Sequence, residues 1–281
     1  MVTSTTPTQE IQAQRNPLRY EQPRGKLKIM FLGGVGEIGK NMTVFEYGDS
    51  IVILDAGMSF PGNDMPGVDV VIPDISYLVE HREKIKGILL THGHEDHIGA
   101  MPFVVKKLGG KVDVYGTRLT LGLVENKLLE HSAQDNVNFV PVSDKSIVSL
   151  GDFTAEFIHV SHSVAGSCAI CLRTPVGTVF HTGDFKVDYT PLGNEIMNLN
   201  RIAEIGKQGV LLLMSESTNV EKPGYTMSES VVRDTMNKVF QDAKGRRIIV
   251  ATFASNVDRL GMIIELARLY KRKIAISGRS M

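Results

Sequence analysis

The sequence has no hydrophobic run long enough to span a membrane, and it opens without an apolar leader. A spanning helix needs about 18 or more consecutive apolar residues, and no stretch of the 281 residues approaches that length. The first 25 residues are rich in Thr, Gln and Pro, so we expect a disordered tail rather than a signal peptide. These absences favour a cytoplasmic protein with no membrane partner.

The sequence also lacks a net charge. Lys+Arg and Asp+Glu both total 31, which excludes a strongly basic or strongly acidic protein but not a local basic groove for RNA. Hydrophobic residues make up 42% and charged residues 22% of the chain, as in a soluble globular protein. This length suffices for one large domain, or for one domain plus part of a second.

Cysteine is scarce, with only Cys168 and Cys171 in the chain. Their C-x-x-C spacing is typical of zinc or redox sites, but one pair is weak evidence. The surrounding residues predict a β-strand, in which residues three apart lie on opposite faces and cannot share a metal. We therefore interpret both as small core residues in a reducing compartment.

A glycine-rich loop at residues 33–39 contains the G-x-G-x-x-G pattern of dinucleotide-binding proteins, at Gly34, Gly36 and Gly39. That pattern indicates a nucleotide only where the loop opens a helix, whose N-terminus receives the phosphates. Here it is followed by two short apolar runs separated by Gly48-Asp49-Ser50, which predict a β-hairpin. A tight turn between strands is the favoured interpretation.

Between residues 26 and 210, short apolar runs alternate with amphipathic segments. The pattern predicts strands over 28–32, 42–47, 51–54, 87–90 and 111–115, and helices over 75–85, 98–108 and 117–130. From 139 to 185 it is all β, including strands over 153–160 and 178–181. Strands in two sets with helices outside them predict an α/β fold built as a four-layer αββα sandwich.

The organisation changes after residue 210. Strands are predicted over 211–214, 247–251 and 273–277, with helices over 226–240 and 257–269 between them. Thr226 and Glu229 match a capping box at the start of the first helix. This βαβαβ order is the start of a parallel-sheet unit. Since the last strand has neither a covering helix nor a cap, we expect the sequence to be a fragment of a longer protein.

The strongest functional signal is the segment 91–97, Thr-His-Gly-His-Glu-Asp-His, at the end of a strand and before a helix. His92 and His94 are two residues apart, so an extended chain places both rings on one side. Asp96 and His97 lie at the turn and can face a second point, which suits two metals about 3.5–4 Å apart. Imidazole and carboxylate ligands suit Zn²⁺ or Mn²⁺. The alternative is a polar loop that is merely rich in histidine.

Further ligands are predicted where two later strands end, at His162 and Asp184. A carboxylate such as Asp184 can bridge two cations. Each residue alone is also compatible with an ordinary polar turn, so the prediction depends on the whole set. His181 is expected to orient a ligand through a hydrogen bond, and Asp55 is expected to be a buried structural carboxylate near the metals.

These residues resemble the metallo-β-lactamase superfamily and, within it, the ribonuclease J family of the β-CASP branch. The supporting stretches cover most of residues 26–281: 32–41, 90–100, 181–186, 215–219, 252–256 and 278–281. The resemblance implies a metallo-β-lactamase domain over 26–210, after a tail over 1–25, and the first part of a β-CASP domain over 211–281. It also implies an RNA hydrolase, acting as 5′→3′ exonuclease and endonuclease in RNA decay and in rRNA and mRNA maturation, by means of a metal-bridged hydroxide.

Carried over by position, the resemblance implies two divalent metals, most commonly Zn, with Mn or Mg as alternatives. His92, His94 and His162 would bind one metal, Asp96 and His97 the other, and Asp184 would bridge them. Asp96, Asp184 and Glu216 would be the catalytic acidic residues. The remaining expectations are RNA with a 5′ monophosphate as partner, a homodimer or homotetramer at full length, and substrate contacts from Ser217, Thr218, Ser255 and Arg279.

The chain departs from the family pattern at two points. Residues 162–167 read His-Ser-Val-Ala-Gly-Ser, where many members have His-Ser-Ile-Pro-Asp-Ser. In addition, the family's last metal-binding histidine and its C-terminal domain would lie after Met281, which predicts weak activity or none for this chain. Two other classes remain open: another hydrolase of the superfamily (acting on a lactone, thioester or β-lactam), and a non-catalytic RNA-binding protein.

Overall fold

The computed structural model describes residues 25–192 and 196–278. Its strands are β1 Lys28–Gly33, β2 Met42–Tyr47, β3 Ser50–Leu54, β4 Ile85–Leu89, β5 Val112–Thr117, β6 Val137–Val142, β7 Ile147–Leu150, β8 Phe153–His159, β9 Cys168–Thr174, β10 Gly177–His181 and β11 Leu212–Met214. Its α-helices are α1 Ser76–Glu80, α2 Glu95–Ile98, α3 Met101–Leu108, α4 Arg118–Glu130, α5 Leu199–Gln208, α6 Glu229–Asp242 and α7 Val257–Leu269.

The strands form two sheets. The first has the order β1-β2-β3-β4-β5-β6, antiparallel from β1 to β3 and parallel from β3 to β6. The second has the order β11-β10-β9-β8-β7 and is antiparallel except for the parallel pair β10–β11. Because β3 to β6 are parallel and are connected through helices, their C-terminal ends lie at the same edge of the first sheet.

Side chains of β3 alternate between two hydrophobic cores. Ile51 and Ile53 pack with buried residues of α1, α3 and α4, whereas Val52 and Leu54 pack against the second sheet. On the outer face of the second sheet, Phe180 and its neighbours pack against Ile205 of α5. The layers are therefore helix, sheet, sheet and helix, which confirms the predicted four-layer sandwich.

The two cysteines lie in different cores, as predicted. Cys168 packs between the two sheets and Cys171 packs on the α5 side of the second sheet. Burial raises the pKa of both thiols, to about 12 for Cys168. Neither is therefore a thiolate at neutral pH, and both serve as core residues.

Two predicted helices are shorter than the sequence pattern suggested. The one expected over 75–85 is α1, followed by a 3₁₀ turn at Arg82–Lys84. Asp74 accepts hydrogen bonds from the backbone N–H and the hydroxyl of Ser76 at its start. The one expected over 98–108 is interrupted at Gly99 and Ala100, and it ends as predicted at Gly109, which has a positive φ of 66°.

The segment after β11 contains both predicted helices but not the two predicted strands. Residues 247–251 and 273–277 form no ladder with another strand among the described residues. Ile249 is 87% exposed and Ile276 is 70% exposed, so these apolar segments lack the partners that a sheet requires. The two predicted strands are therefore not formed among the described residues, because local pattern alone does not supply strand pairing.

The start of α6 also differs from the prediction. Its N-cap is Ser228, whose hydroxyl oxygen accepts a hydrogen bond from the backbone N–H of Ser230, so Thr226 does not open a capping box. By contrast, α7 has the predicted bounds. In the part of the chain that the structure describes, no helix combines the length and hydropathy that a membrane crossing requires. The domain boundaries stated above remain predictions.

Candidate metal centre

The six predicted ligands converge at one edge of the sandwich. His92 follows β4, His162 follows β8 and Asp184 follows β10. His94 is the N-cap of the short helix α2, which carries Asp96 and His97 in its single turn. The strand ends of both sheets thus bring together residues that lie far apart in sequence.

Four of these residues form a first donor group. His94 Nδ1 lies 3.1 Å from His92 Nε2 and 3.1 Å from His162 Nε2. Asp184 Oδ2 lies 3.9 Å from each of these two Nε2 atoms. Four ligand atoms around one tetrahedral Zn²⁺, at about 2.0–2.2 Å from it, would lie roughly 3.3 Å apart. The donor atoms therefore fit a single cation.

A second donor group shares Asp184. His97 Nε2 lies 3.6 Å from Asp96 Oδ2 and 3.5 Å from Asp184 Oδ1. Because Asp184 Oδ2 faces the first group and Oδ1 faces the second, one carboxylate lies between both. This arrangement matches two cations held by a bridging carboxylate.

Asp55 is a buried carboxylate whose hydrogen bonds orient two of the histidines. Its Oδ2 accepts hydrogen bonds from the Thr91 hydroxyl and from His97 Nδ1, both at 2.8 Å. Since the Thr91 proton goes to Asp55, Thr91 Oγ1 accepts from His92 Nδ1, 3.0 Å away. Both histidines therefore turn Nε2 towards the donor groups, where the neutral ring of each can bind metal. Asp55 holds a left-handed backbone, with φ 59°, which aspartate tolerates better than most residues.

The protonation states suit a cation in the first group. Burial lowers the pKa of His92 and His94, and it lowers that of His162 to about 4. These three rings are therefore neutral at pH 7 and able to donate lone pairs. The pKa of Asp184 is also lowered, because the attraction of His97 and of the other histidines outweighs the effect of burial.

His97 differs from the other three rings. Burial opposes its charge, but the adjacent Asp55 and Asp184 outweigh that effect and raise its pKa to about 10. Without a metal the ring therefore carries a proton that compensates the two carboxylates. A divalent cation in the second group would replace that positive charge.

Asn41 belongs to the site, although the sequence analysis did not single it out. Its side-chain nitrogen lies 3.4 Å from Asp96 Oδ2 and 3.2 Å from His97 Nε2. Its backbone N–H donates to Asp96 O, and its carbonyl accepts from Gly57 N–H. Gly57 leaves no room for a side chain, since an added Cβ would lie 1.6 Å from Asp96 O. The only available signal was the position of Asn41 at the end of the glycine-rich stretch.

The second donor group lines a cleft of about 450 Å³, through Asp96, His97 and Asp184. The loop between β1 and β2 lines one side, including Val35 and Ile38, and Glu216, Ser217 and Thr218 line the other. The Glu216 backbone N–H donates to Thr182 Oγ1 at 3.2 Å, which ties this wall to the Asp184 loop.

Three predicted site residues remain: His181, Ser255 and Arg279. His181 lines the same cleft, and its Nδ1 accepts a hydrogen bond from Gly183 N–H, beside Asp184. Ser255 is not among the residues that line this cleft. Arg279 lies outside the described residues.

Residues 35–192 match the sequence profile described as the metallo-beta-lactamase superfamily. The chain belongs to this superfamily. Near its end, this metallo-β-lactamase superfamily member also matches a second profile, "Ribonuclease J, beta-CASP domain", over residues 245–281. The predicted fold class is confirmed by both matches, and the two donor groups together with the superfamily indicate a divalent-metal site.

Curated relatives carry the name ribonuclease J. The chain is 49% identical over 256 residues to that of Synechocystis, covering 91% of this chain and 40% of the relative. It is 46% identical over 264 residues to that of Thermus thermophilus, covering 92% of this chain and 46% of the relative. The predicted resemblance is thus confirmed, and the chain spans less than half the length of these relatives.

A solved structure supports the fold alone. A protein of unknown function from Enterococcus faecalis superposes with a TM-score of 0.62 at 18% sequence identity, covering 90% of this chain and 71% of that one.

Proposed function

We propose that this chain carries the metal centre of an RNA hydrolase that cleaves phosphodiester bonds. The observation that carries the proposal is the pair of donor groups sharing Asp184, at distances that suit two cations. The choice of RNA is supported by relatives named ribonuclease J. From the resemblance to the ribonuclease J family we further propose 5′→3′ exonuclease and endonuclease modes, RNA with a 5′ monophosphate as substrate, RNA decay and maturation as the processes, a cytoplasmic location and a homo-oligomer at full length.

The proposed ligands are His92, His94 and His162 for one cation and Asp96 and His97 for the other, with Asp184 between them. Four imidazoles and two carboxylates favour Zn²⁺, with Mn²⁺ and Mg²⁺ as alternatives. When bound, two such cations supply a water of lowered pKa and stabilise negative charge on the attacked phosphate.

Residues around the donor groups orient the histidines, contact the substrate and stabilise the opposite wall of the cleft. Asp55 and Thr91 fix which nitrogen of His97 and His92 faces the cleft, so no reorientation is needed when a cation binds. On the opposite wall, the hydroxyls of Ser217 and Thr218 are placed to contact phosphate oxygens. Glu216 holds this wall in shape, because its Oε2 accepts from Thr218 N–H at 2.8 Å.

The first test is the metal content of the purified 281-residue chain, measured by plasma mass spectrometry. We expect about two divalent metals per chain and a loss of at least one in His94→Ala. His131→Ala is the matched control, because His131 is exposed and lies outside both donor groups. Equal metal content in the parent and in His94→Ala would contradict the site.

The substrate class needs a second assay. Metal-loaded chain is incubated with 5′-monophosphorylated RNA and, separately, with the β-lactam nitrocefin. Cleavage of RNA alone supports the proposal, whereas hydrolysis of nitrocefin alone assigns the chain to another hydrolase class of the superfamily. RNA binding that persists without turnover in an Asp96→Ala, His94→Ala double variant, with no turnover in the parent, identifies a non-catalytic RNA-binding protein.

A further inference from the structure

Residues 184–190, here called the 184–190 segment, connect the candidate metal centre to helices α6 and α7. At one end Asp184 lies between the two donor groups, and the Lys186 backbone N–H donates to Ser161 O at 2.7 Å, beside His162. At the other end, the Ser228 hydroxyl donates to the Thr190 carbonyl at 2.9 Å, at the N-cap of α6. The segment therefore contacts metal-site loops and helix α6 at once.

The side chain of Lys186 extends from the 184–190 segment to α6, where its ammonium group forms an ion pair. Lys186 Nζ lies 3.0 Å from Glu229 Oε1 and 3.4 Å from Asp188 Oδ2. Glu229 Oε2 in turn lies 2.8 Å from Arg259 Nη2 of α7. Arg259 Nε is buried without a hydrogen-bond partner among the described residues, so the Glu229 pair compensates the burial of this guanidinium. The Glu229 carboxylate of α6 thus links the 184–190 segment, through Lys186, to α7, through Arg259.

Asp188 adds a second connection. It is only 3% exposed, and its Oδ2 accepts from the Glu229 backbone N–H at 2.9 Å while Oδ1 accepts from Thr190 N–H at 3.0 Å. It thereby satisfies an N–H group in the first turn of α6, where negative charge is favourable. Displacement of α6 would remove the Glu229 N–H from Oδ2 of this buried carboxylate, which is costly.

We propose that Lys186 is a positioning residue that fixes the orientation of Asp184 by binding Glu229 of α6. The inference rests on the proposed metal centre. The Lys186 side chain makes no hydrogen bond to a donor atom in the described part of the chain, and the proposed effect on the metal is through the orientation of Asp184. Cation affinity at the donor groups therefore depends on a charge pair with a helix that contributes no ligand.

The test measures the Zn²⁺ dissociation constant of the 281-residue chain, by competition with a chromophoric chelator, together with the melting temperature. We expect Lys186→Met to weaken zinc binding about tenfold, as loss of a group that orients a ligand commonly does. Lys186→Arg, which keeps the charge, restores most of the affinity. Lys84→Met is the matched control: Lys84 is similarly exposed and lies 3.2 Å from the buried Glu46, far from the donor groups. It should lower the melting temperature only.

A double-mutant comparison isolates the Lys186–Glu229 pair. If the proposal holds, Glu229→Gln weakens zinc binding by itself, and adding Lys186→Met weakens it little further. Additive losses, or a lower melting temperature with unchanged zinc affinity in both single variants, overturn the positioning role. If Lys186→Met does not fold, Glu229→Gln decides the matter alone, and unchanged affinity there overturns the role. A parent chain that binds no zinc contradicts the proposed metal centre itself, which is a separate result.

Discussion

At the scale of single residues, the metal centre depends on a buried carboxylate that is not one of the proposed ligands. Asp55 receives three hydrogen bonds, from the Thr91 backbone and hydroxyl and from His97. These bonds fix the tautomers of two histidines and offset the burial of the carboxylate. Asp55 was expected near the metals because it follows an apolar strand; the structure places it against His97 of the second donor group, and its role towards a metal remains a proposal.

The sequence indicated six candidate ligands because four of them lie within one short segment. It did not indicate Asn41, whose closest site partners, Asp96 and His97, are 55 and 56 residues away. A contact of that kind depends on how β1, β2 and α2 meet, and local pattern does not contain it. The metal-binding roles of the six residues remain proposals.

Asp55→Asn should weaken zinc binding by about 10–100-fold, with little change in the fold. The amide keeps the shape and tolerates the left-handed backbone, but it removes the negative charge that orients His97. Isothermal titration with Zn²⁺ measures the effect, and Asp113→Asn, near the start of β5 and outside both donor groups, serves as control. Unchanged affinity in Asp55→Asn would show that His97 needs no such partner.

At the scale of elements, prediction succeeded where one strand or helix carried its own signal. The pattern over 257–269 predicted α7 with the bounds the structure has. In the structure, the Asn256 side chain caps this helix by accepting from Arg259 N–H. Residues 247–251 and 273–277 carry an equally good strand pattern, but a strand exists only as part of a ladder. Local sequence determines the preference, and pairing partners determine the outcome.

An ion pair with a buried carboxylate of the second sheet holds helix α5 against that sheet. Glu156 of β8 lies 2.6 Å from Arg201 Nε of α5 and 2.8 Å from Arg173 Nη2 of β9. Arg201 lowers the pKa of Glu156, more than burial raises it, and Arg173 adds to the effect. A carboxylate whose pKa is lower in the folded than in the unfolded state stabilises the fold above its unfolded pKa, and that contribution disappears as the pH falls through the folded value.

Glu156→Gln should therefore lower the melting temperature at pH 7, and the difference from the parent should shrink below about pH 4.5, near the ordinary pKa of glutamate. Thermal unfolding of both chains at pH 7 and at pH 4 measures this. Glu204→Gln is a suitable control, because Glu204 also pairs with Arg201 but is 60% exposed. A difference that stays constant with pH would mean that Glu156 acts through packing rather than through charge.

At the scale of the whole molecule, the cores differ greatly in size. The sandwich contains three buried clusters: one between the first sheet and its helices, one between the two sheets, and one between the second sheet and α5. Helices α6 and α7 share a small cluster of Phe240, Met262, Leu266 and Ala267. Since local stability follows buried apolar contact, the two parts should open with different free energies.

Hydrogen exchange followed by mass spectrometry should thus show faster exchange in peptides covering 229–269 than in those covering β2 and β3, whose residues are all buried. Zinc should slow exchange in 184–190 more than in 257–269, because Asp184 lies in the first of these stretches. Equal protection of both regions would indicate a single cooperative unit.

The exposed apolar side chains after β11 have a practical consequence for handling the protein. Ile249, Phe253 and Ile276 are each at least 70% exposed, and the chain has a formal net charge of zero at pH 7. Molecules that present apolar surface without mutual charge repulsion tend to precipitate. Solubility should consequently be lowest near neutral pH, so a buffer about two pH units above neutrality suits concentration and storage better than a neutral one.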